Sequence, residues 1–376
     1  ILLDTFNTYG LPTSTTVSIV FELLGAAVAF SAIKIYTQTN SLGIAEYINA
    51  DSAMAIISGI FLSVFVAFTV GVVIQYLTRM LFSFDYQSKL KYYGSLWGGL
   101  AIAAITYFLM IKGAKGSSFM TDELKSTINE NAVMILSVSF VAWVVILQVV
   151  SMMFKNFNIM KLIVFIGTFA LAMAFAGNDL VYFIGVPLAG FNSWELYTAS
   201  GQAPDTLLME GLAGKVSTPT ILLFIAGVIM AVTLWTSKKA RAVLKTSLDL
   251  GRQHEGVERF ASYKISRSIV RIFANSAKAV DKVLPKGLRN NIGRQFDQRP
   301  FIAKQLHLGD DAPAFDLLRA ATTLVVASVL IAIGTSFKLP LSTTYVTFMV
   351  AMGTSLADRA WGRESAVYRV AGVLNV

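Results

Sequence analysis

The chain is written mainly in long apolar runs separated by short polar stretches. Residues 54–77, 94–111, 132–153, 162–191, 220–236 and 317–337 form such runs, and residues 16–35 are apolar except for Glu22 and Lys34. A helix needs about 20 apolar residues to cross the hydrocarbon of a bilayer, so most of these runs predict one spanning helix each. The run at 162–191 is too long for one straight crossing at about 1.5 Å per residue. Gly177-Asn178-Asp179 and then Pro187 interrupt it, which predicts a helix broken at those points. The expected fold class is all-α: a polytopic transmembrane helical bundle with inverted repeats and broken or re-entrant helices.

Two interruptions share one pattern. Leu339-Pro340-Leu341-Ser342-Thr343-Thr344 separates the run at 317–337 from another at 345–357, and Leu11-Pro12-Thr13-Ser14-Thr15-Thr16 precedes an apolar stretch at 17–30. Proline cannot donate a backbone hydrogen bond and disfavours helix in the residue before it. The Ser and Thr residues then fall at the cap and first turn of the outgoing helix. Their hydroxyls join the unpaired N–H groups of that turn at the positive end of the helix dipole, which makes a cradle for an anion at membrane depth. Capping alone explains each copy but not the repetition 328 residues apart (342 minus 14).

Charge orients the spans. Basic residues mark the segments near 79–91 and 155–161 and the long stretch 237–316, which the positive-inside tendency places in the cytoplasm. The segments 36–52, 112–130 and 193–216 then lie outside, and successive spans alternate sides. The second Ser-Thr-Thr element is entered from the cytoplasmic side at Arg319 and ends at Asp358-Arg359 and Arg363, which predicts a re-entrant hairpin. The first copy exits towards residues 36–52, so its hairpin would open the other way. Like motifs of opposite polarity are what an inverted repeat produces.

The chain divides on this basis into four parts. Residues 1–153 hold the end of a first repeat and connecting helices. Residues 154–236 start a second repeat with the Asn-Asp element. Residues 237–316 form a basic cytoplasmic loop, and residues 317–376 carry the second Ser-Thr-Thr element and the start of a further helix. Within the basic loop Val257, Phe260, Ile265, Ile269, Ile272, Phe273, Val280 and Val283 recur at helical spacing. Arg259, Lys264, Arg267, Arg271, Lys278 and Lys282 are interleaved with them. That predicts an amphipathic helix lying on anionic lipid or packed on the protein's own cytoplasmic face.

Composition agrees with a membrane protein: 55% of residues are hydrophobic and 14% charged, against about 45–50% and 25% in soluble domains. The absence of cysteine excludes disulfides, thiolate metal sites and cysteine nucleophiles. Both histidines, His254 and His307, lie in the polar segment. The net charge of +9 follows from basic loops and calls for no nucleic acid partner. The chain opens without methionine or a basic signal region and ends inside an apolar run, so a fragment cut within a helix at both ends is expected.

The candidate site residues follow from these breaks. Ser14, Thr15, Thr16, Ser342, Thr343 and Thr344 offer hydroxyls, and neither turn contains Arg or Lys. Neutral donors hold a tetrahedral oxyanion loosely enough for release. Asp179 is a costly carboxylate in an apolar run. With Asn178 and backbone freed at Gly177 it could bind a cation such as Na⁺, or share a proton, or simply mark a kink. Glu22, inside an apolar helix, is a further candidate for the coupling-ion site or for a water-facing helix end. Lys338 could reach the anion, pair with a carboxylate, or sit in water.

In these motifs the chain resembles the inorganic phosphate transporters of the PiT, or PHO4-type, family. That family carries a Gly-Ala-Asn-Asp-Val-Ala-Asn motif and a later Pro-Val-Ser-Thr-Thr-His motif in each of two inverted repeats. Residues 12–16 look like the first repeat's second motif, 176–182 like the second repeat's first, and 340–344 like its second. The first repeat's Asn-Asp motif would lie upstream of Ile1. The chain departs from the family at Tyr182, where a second Asn is expected, and at Val17 and Tyr345, where His is expected.

The resemblance implies a symporter of inorganic phosphate in the cell inner membrane, with Na⁺ or H⁺ as coupling ion, no other cofactor and no catalytic residue. The six hydroxyl residues and Asn178 would hold phosphate. Asp179, Asn178 and Glu22 would serve the cation, with Asp179 its tentative metal ligand. Membrane lipid surrounds such a protein, and a homodimer is compatible with it. Transport of sulfate or arsenate on the same scaffold is the first alternative. A membrane-embedded phosphotransferase and a non-transporting phosphate sensor are the others.

Overall fold

The computed structural model describes residues 1–37, 43–48, 50–112, 121–154, 156–203, 207, 210–212, 219–253, 260–283, 285–306, 312–337, 339, 341–362 and 365–375. Among these the secondary structure is entirely helical. In chain order the helices are α1 (Leu2–Thr8), α2 (Thr15–Thr37), α3 (Ile44–Tyr47), α4 (Ala50–Phe82) and α5 (Gln87–Ile105), which continues as a π-helix over Thr106–Lys112. Next come α6 (Asp122–Glu130), α7 (Ala132–Met153), α8 (Ile159–Ser200), α9 (Thr220–Thr236) and α10 (Lys238–Gly251). The last six are α11 (Lys264–Val283), α12 (Lys286–Gln295), α13 (Arg299–Leu306), α14 (Leu317–Ser336), α15 (Thr343–Ala357) and α16 (Ser365–Asn375).

Five of the described helices, α2, α4, α7, α8 and α14, are long and apolar enough to cross a membrane. The pair α9 and α10, bent by 67° at their junction, is a sixth candidate. Large apolar side chains cover the outer surfaces: Phe61 and Phe65 on α4, Val138 and Val141 on α7, Phe165 and Phe169 on α8, Phe224 on α9. An apolar exterior on this scale suits lipid rather than water.

One expectation is corrected here. The run at 162–191 is not broken: α8 continues through Gly177-Asn178-Asp179 and carries Pro187 inside it. One glycine costs a helix only about 1 kcal/mol, and Asn and Asp are likewise tolerated. A proline within a membrane helix is accommodated when neighbours re-satisfy the freed carbonyl. The run at 94–111 lies within helix that is continuous from Gln87 to Lys112. Its helix starts with Gln87, Lys89 and Lys91, buries Gly98, Gly99, Ala101 and Ala103, and changes to π geometry at Thr106. It packs on α7 and α8 on one side and leaves Leu96 and Leu100 exposed on another.

The centre of the fold is the antiparallel hairpin of α14 and α15. The hydroxyls of Thr323 and Thr354 meet 3.0 Å apart across it. Its outer side packs along α4 and its other side against α8. The shared core is built from small and branched residues: Ala67, Ala170, Ala174, Ala327, Ile331 and Val350. Lipid tails are as apolar as Leu, so helices in a bilayer associate through close packing rather than hydrophobic exclusion. Small residues therefore set the distances. A Cβ at Gly71 would lie 2.9 Å from the Val350 carbonyl oxygen, and one at Gly353 would overlap the Phe68 carbonyl and the Val72 amide. The backbones of α4 and α15 thus touch at this crossing.

The base of the hairpin is held by a buried charge cluster. Arg79, from the last turn of α4 and fully buried, donates through Nη1 to Asp316 at 2.8 Å and through Nε to Asp358 at 3.0 Å. Asp316 caps α14 by accepting from the Arg319 amide at 3.0 Å, and Asp358 follows the last turn of α15. One guanidinium therefore joins both ends of the hairpin to α4. Burial raises the Asp316 carboxyl, but Arg79 beside it more than offsets this and holds the group below the usual aspartate range. Gln75 adds a bond to Asp358 at 2.8 Å. Arg319 reaches Gln253 at 2.9 Å, and Arg369 donates to the carbonyls of Arg252 and Ala360, so the segment after α10 and α16 join the same cluster.

The basic segments meet at this end. Lys89 Nζ donates to Gln295 at 2.9 Å, and Gln298 donates to the Asp358 carbonyl at 3.1 Å. The first Ser-Thr-Thr copy differs from the second in its partner: α1 packs against α10, with Asp4 paired to Lys239.

Replacing Arg79 by Met removes the direct ion-pair partner of two buried carboxylates and leaves only Arg319, 4.0 Å from Asp358, beside them. A loss of about 3–5 kcal/mol is expected, read as a large fall in the thermal midpoint in detergent; an unchanged midpoint would refute the clamp. Gly353→Ala should separate α4 from α15 and cost about 1–3 kcal/mol, whereas Gly287→Ala, with open space around it, should be neutral.

Candidate functional site

The second Ser-Thr-Thr stretch opens α15. Ser342 is its N-cap and accepts from the Tyr345 amide at 3.1 Å. Ser14 does the same at α2, accepting from the Val17 amide at 3.1 Å. The two copies therefore share one local structure: a serine cap followed by two threonines in the first turn. Both serines are buried, at 3% exposure for Ser14 and none for Ser342. Pro340 and Lys338 lie outside the described residues, as do His254 and His307.

The two helix starts converge on α8. Thr343 Oγ1 lies 2.9 and 2.8 Å from the two carboxylate oxygens of Asp179 and donates to that group. Thr16, from the first copy, faces the same carboxylate. Asp179, Thr16 and Thr343 are all buried. No basic side chain among the described residues acts on Asp179. The carboxylate instead sits between two helix N-termini, where a negative charge is favoured.

Asn178 occupies the neighbouring position. Its amide NH₂ donates to Thr335 Oγ1 at 3.2 Å, while its Oδ1 is buried with no hydrogen-bond partner. Buried amide oxygens are rarely left unpaired. An unpaired amide oxygen and, one residue on, a buried carboxylate are oxygen ligands of the kind a hard cation takes. Helical backbone at Gly177 keeps its carbonyls within α8, so the unwound carbonyls expected there are not part of the site.

The candidate residues are not all brought together. Ser14, Thr16, Asn178, Asp179, Ser342 and Thr343 form the buried cluster. Thr15 and Thr344 are half-buried. The copies thus contribute unequally: the middle threonine of one and the last threonine of the other face Asp179. Glu22 is exposed on α2. Six residues past Thr16 correspond to about 600° of helix turn, which puts it on a different face, away from the cluster. Of the departures from the family motif, Tyr345 reaches the Ser14 backbone and Tyr182 lies near Asp179. Val17 is half-buried on α2.

Two parts of the arrangement escape sequence reasoning. Thr335 is one of several hydroxyl residues in the α14 run, and nothing local marks it as the partner of Asn178. The Arg79 cluster joins residues 237 and 279 positions apart, and each one alone reads as an ordinary helix-end charge.

No family model, curated protein or solved structure matches this chain.

Thr343→Val removes the hydroxyl that bonds both oxygens of the buried Asp179 carboxylate, and should destabilise the protein by about 1–3 kcal/mol. Thr343→Ser, which keeps the hydroxyl, should retain most of that stability. Equal thermal midpoints for the two variants would contradict the Thr343–Asp179 contact.

Proposed function

We propose that this protein is a secondary transporter of inorganic phosphate, coupled to Na⁺ or H⁺ and related to the PiT family that its motifs resemble. The observation that carries the reading is the meeting of both Ser-Thr-Thr helix starts at one buried carboxylate that has no basic partner among the described residues. Caps distant in sequence have no packing reason to converge on a lone carboxylate. A binding site for an anion together with a cation gives them one.

On this reading phosphate lies against the N-termini of α2 and α15, held by first-turn amides and the hydroxyls of Ser14, Thr16, Ser342 and Thr343. The coupling cation sits between Asp179 and the free Oδ1 of Asn178. The hairpin of α14 and α15 is the re-entrant element of the second repeat. Its inverted counterpart, built around α2, exposes the site on the other side of a cell inner membrane as the two repeats rock.

The test is uptake of labelled phosphate by the protein in sealed vesicles, with and without an inward Na⁺ gradient. Wild-type protein should accumulate phosphate. Asp179→Asn should abolish gradient-driven accumulation, and Ser342→Ala should raise the half-saturating concentration roughly tenfold, the loss of one hydrogen bond to a charged group. Unchanged uptake in both variants would overturn the assignment. Sulfate competing as strongly as phosphate would move it to another tetrahedral oxyanion.

A further inference from the structure

Helix α11 takes no part in the site, and its surface is divided in an informative way. One side packs on α16, where the hydroxyl of Tyr263, just before α11, bonds to Asn375. Ser266 is fully buried, and Ile269 and Val270 are half-buried. Ile265 and Ile272, seven residues apart and so on one line of the helix, are 66% and 65% exposed. Lys264, Arg267 and Arg271 are exposed as well. At about 100° per residue they form a separate stripe, with Lys264 and Arg271 roughly a quarter to a third of a turn from the isoleucine line.

The position of the helix limits what can cover that line. Arg369 ties α16 to the carbonyls of Arg252 and Ala360, at the base of the hairpin. That is also the end at which α4 leaves the apolar zone, at Phe82. Helix α11 therefore sits at the level where the spans emerge. There the adjoining surface is the boundary between lipid headgroups and acyl chains. A β-branched apolar line beside a basic stripe matches that boundary: the isoleucines enter the acyl edge and the basic side chains extend to the headgroups.

From this we infer that α11 is an anionic-lipid contact, seating Ile265 and Ile272 in the bilayer edge while Lys264, Arg267 and Arg271 bind acidic phospholipid headgroups. The inference is independent of what the buried site carries. Charge complementarity selects lipid: three exposed cations beside one apolar line suit a continuous anionic surface.

The lack of cysteine in the chain makes the test direct. A nitroxide is attached to Ile272→Cys, and in a parallel sample to Ala274→Cys, exposed and about half a turn from the isoleucine line, in the full protein. Each is reconstituted in phosphatidylcholine vesicles and in an equal mixture of phosphatidylcholine and phosphatidylglycerol. Collision with oxygen and with a water-soluble nickel chelate reports depth. In the mixed vesicles the label at 272 should gain oxygen contact and lose nickel contact, while the label at 274 remains water-accessible. Adding Arg267→Glu and Arg271→Glu should weaken seating by roughly 25-fold or more, about fivefold for each basic side chain lost. Thermal midpoints of the variants check that they fold. A label at 272 equally open to nickel in both lipids overturns the inference. So does one shielded from both agents in both lipids, the outcome if a second copy covers the helix.

Discussion

The arginine at the end of α4 constrains most of the structure. Arg79 is buried and binds carboxylates at both ends of the α14–α15 hairpin. A charge in such surroundings must be paired with good geometry, because leaving any one partner alone costs several kcal/mol. The pairing is satisfied in one arrangement only: α14 beginning and α15 ending beside the last turn of α4. The register of the hairpin, and thereby the position of its tip, follows from that end. The Ser-Thr-Thr corner lies at the tip, about 20 Å away for a 15-residue helix, so charge placement at the base sets the geometry of the site.

The two ends of the hairpin are held differently. At the base, ion pairs, a cap and several carbonyl contacts share one cluster, and α4 touches α15 backbone to backbone at Gly71 and Gly353. At the tip, one threonine hydroxyl meets Asp179 and one amide meets Thr335. Neutral hydrogen bonds contribute about 1 kcal/mol net, and bonds to a charged group somewhat more. A rearrangement that separates the hairpin from its neighbours therefore begins at the tip, with the hairpin and α4 remaining together.

Much of the helical pattern was legible in the sequence, and the reasons for success and failure are physical. Apolar length identified α4 and α7 as candidate spans and marked α2, α8 and α14 as apolar helices, two of which were expected to be broken or re-entrant. The serine caps of α2 and α15 were legible because capping is local, needing only a hydroxyl three residues before an amide. The break at Gly177 was misread: helix-breaking tendencies are weak in a helix whose backbone has no water to bond with. Glu22 was counted as a site residue on composition, although its helical phase relative to Thr16 already separates the two. The base cluster could not be read at all. Arg79, Asp316 and Asp358 each resemble a polar residue at a helix end, and only the tertiary fold brings them to one point. Nor could Thr335 be separated from the other hydroxyls of α14, because its role depends on the rotation of α8.

The electrostatics of the tip explain why an anion there would need company. Each helix N-terminus carries roughly half a positive charge, and two of them meet near Asp179, so together they approximately cancel its carboxylate. An oxyanion bound on the same amides would add one to two negative charges to a buried, weakly screened space. Charge in such surroundings costs several kcal/mol unless compensated, and no described arginine or lysine acts on Asp179 to compensate it. A mobile cation, taken up with the anion and released with it, supplies that compensation without a permanent partner. The buried, unpaired oxygen of Asn178, one residue before Asp179, is a further ligand for such an ion on that reading. On the proposed reading, coupling is then a consequence of the missing fixed cation: either ion bound alone leaves the corner out of balance, and the pair restores it.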